Sequence, residues 1–180
     1  MFATLACGLS AQTPPSDSSA CQRTLAAFLS SPNEHRLREI QQSHCAALLT
    51  ASNADLGLLN RLVERGSRSA AELSARNLKS LDGGNLEDAL IALGEFSEHD
   101  MKYLLVLAHE GLLSGKELTD ALTMLPLAMS DHPAGQLKRI VRRKRMAEAV
   151  SDKYLETQKT YALNSLNDFA SEIKSSQKRQ

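Results

Sequence analysis

The amino-acid sequence predicts an all-α protein: a multi-helix bundle or short helical array that ends in a long amphipathic C-terminal helix. Three observations carry this. Aromatic residues make up 4% of the 180-residue chain and Trp is absent, whereas large β-rich folds lean on aromatic and β-branched side chains. Ala, Leu, Ser, Glu, Lys and Arg dominate instead. Helix-start signals recur at short intervals, each followed by apolar residues at helical spacing. A chain of this length, 42% hydrophobic, makes one domain and can bury a real core. No apolar run approaches the roughly 20 residues that cross a bilayer. The chain divides into a leader-like or disordered segment (1–16), a helical domain (17–131) and a long basic helix with its tail (132–180).

The first segment reads as the end of an export signal. Met1 to Ala11 is apolar and is followed by polar, Pro-rich Gln12 to Pro15, the order in which a secretory leader finishes. No Lys or Arg precedes Arg23, and Leu9 is not the small residue preferred three places before a cut after Ala11. Cys7 after Leu5-Ala6 fits a lipoprotein cleavage box except at Thr4. A leader that begins upstream of Met1 accounts for all of this; a disordered N-terminus of a cytosolic protein is the competing reading.

Helices are expected at about 18–30 and 33–49, broken at Ser30-Ser31-Pro32. Ser31 is placed to cap, Pro32 suits the first helical position, and Glu34 completes the capping box. Of three cysteines, Cys7 falls in the leader-like segment and Cys21 and Cys45 remain. In an antiparallel hairpin Cys21 lies about 10 residues before the turn and Cys45 about 13 after it, close enough for a bridge. Two buried thiols are the alternative. No CxxC or Cys/His cluster points to zinc.

Further helices are expected at about 53–65, 69–80, 85–95, 98–110, 115–129 and 132–174. Asp82, Ser97 and Ser114 are the candidate caps. Leu81/Leu86, Phe96/Met101 and Leu113/Leu118 form the matching staples, and Glu117 completes a capping box with Ser114. Gly66 and Gly111 stop the helices before them. Tyr103 to Ala108 is apolar on every side, which marks that helix as central. Residues 81–93 and 113–125 match at seven of thirteen positions, at an offset of 32. A repeat of helical pairs has such a period; the shared need for a cap, a staple and an apolar face explains the match as well.

The last helix lacks Pro and Gly from Gln136 onward. Leu137, Ile140, Val141, Leu155, Ala162, Leu166, Phe169 and Ile173 form one apolar stripe, interrupted by Lys144, Glu148 and Ser151. A helix of about 40 residues would span about 60 Å, so it is expected to bend near Ser151-Asp152, project, or pair with a second copy.

Charge is balanced overall but not locally. Residues 82–131 carry 10 acidic and 2 basic side chains, and residues 132–180 carry 11 basic and 5 acidic. Lys138, Arg139, Arg142, Arg143, Lys144 and Arg145 place six cations in eight residues. The run reads either as a basic surface for nucleic acid or anionic lipid or as a helix face that is solvated or paired with the acidic block. No aromatic residue interleaves it to stack bases.

No catalytic, phosphate-binding or metal-ligating motif occurs, and no cofactor is implied. Glu98-His99-Asp100 is the densest titratable cluster and reads as the acidic first turn of a helix; His109 reads as its last-turn partner. Two functional expectations follow. The first is a non-enzymatic, disulfide-stapled helical module of a bacterial envelope, periplasmic or secreted, that binds another protein and is able to pair through its C-terminal helix. The second is a cytoplasmic helical protein whose basic helix binds nucleic acid or an anionic membrane surface.

Overall fold

A computed structural model describes residues 18–177. The leader-like stretch and Cys7 lie outside the described residues. Within them the chain is all-α: eight α-helices and no strand. They are α1 (Ser18–Ser30), α2 (Glu34–Gln42), α3 (Asn53–Glu64), α4 (Arg68–Asn77), α5 (Gly83–His109), α6 (Gly115–Thr123), α7 (Pro133–Glu148) and α8 (Glu156–Gln177). No described helix is long and apolar enough to cross a membrane.

The helices surround α5, which packs against α3, α4, α6, α7 and α8. One continuous core runs from Leu25 and Phe28 of α1 through Leu93, Phe96 and Leu104 of α5 to Leu166 and Ile173 of α8. Leu104, Leu105 and Leu107 are fully buried, as the apolar stretch within 103–108 predicts.

Several helix ends follow their expected chemistry. Ser114 and Glu117 form a complete capping box. Gly66 and Gly111 take positive φ of +86° and +75° just past their helices, where a Cβ would be strained. Others differ. Asn33, not Ser31, caps α2, accepting from the Arg36 N–H at 3.0 Å. α2 ends early, His44 takes a left-handed φ of 53°, and Cys45–Ala51 continues as a 3-10 segment. The expected helix 115–129 stops at Thr123, because Pro126 has no N–H to extend it.

α5 is one 27-residue element where two helices were expected, and its break lies at Asp100, not Ser97. The Ser97 hydroxyl donates back to the Gly94 carbonyl, and Asp100, at φ −147° and ψ 74°, accepts from the Tyr103 N–H. Asp100 therefore restarts the helix. The similar segments 81–93 and 113–125 both open helices, but these run for 27 and 9 residues.

The expected helix over 132–174 is two helices. The chain leaves helical geometry after Glu148, passes a short 3-10 turn at Lys153–Leu155 and folds back, so that α8 packs on α7 and α6. The polar residues that interrupt the stripe explain the break: folding back buries the apolar half on either side of it. Ile140 and Ala147 of α7 and Ala162, Leu166 and Ile173 of α8 are all buried. Lys159 donates to the Val150 carbonyl at 2.7 Å and closes the turn. The apolar stripe of α8 is thus covered within the chain.

Candidate functional site

The basic run and the acidic block meet between α7 and α5. Ile140, Arg143 and Ala147 form the buried face of α7. Arg143 departs from the basic surface expected of it: it is the largest fully buried side chain among the described residues. Its Nε donates to Glu98 Oε1 at 3.3 Å. Its Nη1 donates to the carbonyls of Leu122 at 2.8 Å, Met124 at 3.2 Å and Ala121 at 3.4 Å. Those carbonyls belong to the end of α6, where backbone acceptors lack helical partners and the helix dipole is negative. Burial pushes the Arg143 guanidinium down to about 10, against the pull of Glu98, and leaves it charged at neutral pH.

Glu98 is buried and serves three cations. Arg139 Nε donates to it at 2.5 Å, and Arg142 Nη1 stands 3.4 Å away. Arg139 also pairs with Glu95 at 3.0 Å. The carboxylates, one helical turn apart, and the α6 carbonyls together offset three guanidiniums at close quarters.

The approach of α7 depends on Gly94. A Cβ there would fall on the Ala121 carbonyl oxygen and lie 2.9 Å from Arg143 Nη1. A glycine inside a helix costs about 1 kcal/mol relative to Ala, and here it makes room for the contact.

The exposed side of α7 borders an open groove of about 840 Å³, which Glu98 and Arg139 also line. Met129, Leu137, Val141 and Met146 give it an apolar lining, and Lys138, Arg142 and Arg145 lie among them along the exposed side of α7. The Met129 wall is a 3-10 turn held by Gln136, whose amide donates to the Met129 and Ser130 carbonyls at 2.8 and 3.0 Å. Val141 is 43% exposed, and Leu127 on the same turn as Met129 is 85% exposed. Lys144 faces away and approaches Glu148 at 3.8 Å.

Cys21 and Cys45 are bonded, with Cα atoms 5.1 Å apart, and tie α1 to the 3-10 segment after α2. Glu98-His99-Asp100 is not one cluster in space. Glu98 faces α7, Asp100 pairs with Arg68, and His99 packs under Gly66. A separate network joins α2, α4 and α5. The Tyr103 hydroxyl donates to Glu72 at 3.0 Å, Gln41 and Arg76 donate to the same carboxylate, and Arg68 lies over the Tyr103 ring. Among the described residues no three metal-ligating side chains converge.

Sequence reasoning placed the cations but missed Glu98 as their hub and Gly94 as the contact that lets them in. The available signal was a lone glycine inside an otherwise apolar helical pattern, one position before Glu95 and one turn before Glu98. No protein-family model matches the chain, and no curated protein and no solved structure matches it.

Proposed function

We propose that this protein is a non-enzymatic helical interaction module of a bacterial envelope, exported to the periplasm, that binds another protein at the groove beside α7. The observation that carries the reading is the groove itself: an apolar lining left open to solvent and accompanied by cations, on a bundle with one continuous core. Exposed apolar surface with a polar rim is the anatomy of a binding site. The Cys21–Cys45 bond suits an oxidising compartment, and the leader-like N-terminus suits export. The competing nucleic-acid reading is weakened because Arg139 and Arg143 are turned inward onto Glu95, Glu98 and backbone carbonyls.

The test is a photoreactive amino acid placed at exposed Lys138 in the source cell, with exposed Arg38 on α2 as the control position. One discrete protein adduct from position 138, absent from position 38 and lost with Val141→Glu, is the expected result. No adduct, or adducts to nucleic acid or lipid alone, would overturn the reading.

A further inference from the structure

We infer that the groove receives an amphipathic helix of about three turns, acidic along its flanks, contributed by the partner protein. The inference rests on the interaction reading and names the shape and charge of what binds. Ala134, Lys138, Val141 and Arg145 line the groove at spacings of four, three and four, so it follows one face of α7 for about 17 Å. That wall is a helix whose backbone groups are already bonded internally, so it has no edge to which an extended peptide could add as a strand. What such a wall accepts is a ridge of side chains at helical spacing. Met129 and Met146 supply adaptable apolar contacts.

Charge fixes the second property. Neither Lys138 nor Arg145 has an acidic partner among the described residues, and they stand two turns apart along the groove. Arg142 between them is 63% exposed. Glu98, which also lines the groove, is already engaged by three guanidiniums. The rim is therefore positive, and a complementary helix carries Glu or Asp beside its apolar stripe. A flat bilayer fits less well, because Leu137 and Met146 are partly buried against the core and, of the apolar α7 residues Leu137, Val141 and Met146, Val141 alone is exposed.

The experiment is fluorescence anisotropy with the oxidised full chain and two designed helical peptides of about three turns. Both carry leucines on one face; one has flanking glutamates and the other lysines. The glutamate peptide should bind saturably and at least about tenfold more tightly than the lysine peptide. Val141→Glu should abolish this binding. The double variant Lys138→Glu/Arg145→Glu should weaken the glutamate peptide by about tenfold and strengthen the lysine peptide, with circular dichroism confirming that both variants keep the fold. Equal affinity for the two peptides, no binding of the glutamate peptide, or indifference to Val141→Glu would overturn the inference. So would tighter binding to phosphatidylglycerol/phosphatidylethanolamine vesicles than to the peptide. A protein adduct at position 138 together with a silent glutamate peptide would end this inference and leave the interaction reading standing; no protein adduct from position 138 in the native chain would end that reading.

Discussion

Glu98 and Arg143 meet at 3.3 Å from α5 and α7, and both side chains are buried. The pair joins two helices, and through the Leu122 and Met124 carbonyls Arg143 joins a third. Removing one partner of a buried charged network costs about 3–5 kcal/mol, because the remaining groups stay buried and unpaired. Arg143→Ala is therefore expected to lower unfolding stability by that amount in urea titrations. Arg143→Lys should also destabilise, since an ammonium cannot reach Glu98 and the α6 carbonyls with one planar fork. A loss under about 1 kcal/mol for Arg143→Ala would contradict the packing of α7.

Gly94→Ala separates helix propensity from packing. Propensity alone would stabilise the helix by about 1 kcal/mol. The added Cβ instead meets the Ala121 carbonyl oxygen and the Arg143 guanidinium, and overpacking of this kind costs about 1–3 kcal/mol. A melting temperature several degrees below that of the native chain is expected by calorimetry; a higher one would show that α6 and α7 sit further from α5.

The disulfide spans a sequence separation of 24, and a loop of that size constrains the unfolded chain by about 3 kcal/mol. The Cys21→Ser/Cys45→Ser double variant should melt about 10 °C lower, given about 2–4 °C per kcal/mol at this size. Protein recovered from its native source should resist alkylation at both positions until reduced. Free alkylation of both would place the chain in a reducing compartment.

Tyr103 should ionise late. Burial, reinforced by the Glu72 carboxylate, lifts its phenol to about 12 from an ordinary 10.0. The folded state thus favours the neutral phenol. Its contribution to stability is complete below pH 10 and is lost as pH rises from about 10 to about 12. Phenolate absorbance should show a step near pH 12 that Tyr103→Phe removes, and the native chain should lose stability across that window more steeply than the variant.

Much of the fold was legible in the sequence because helix ends are local chemistry. Ser114 and Glu117 satisfy each other within one turn, and Gly66 and Gly111 need only their own backbone angles. The Cys21–Cys45 bond was legible for a related reason: both cysteines lie near one short connection. The turn after Glu148 was legible as a bend but not as a reversal, since the surface that α8 covers comes from α6, distant in sequence. Ser97 was misread as a cap because its hydroxyl serves the Gly94 carbonyl inside a continuing helix. The candidate site was the least legible part. Val141 belongs to the apolar stripe yet remains 43% exposed, because α8 returns along the other side of α7. Arg143 looks identical to its basic neighbours until α5 and α6 close over it.

Three guanidiniums sharing one buried carboxylate also make the seating of α7 depend on a single anion. Glu98 neutralises the inner edge of the basic helix while itself staying buried. Its loss would leave Arg139, Arg142 and Arg143 with Glu95 and backbone carbonyls alone, and Arg143, fully buried, would keep its charge with no carboxylate bonded to it. A single codon at Glu98 thus separates an α7 docked on α5 from one that lies over an uncompensated buried charge.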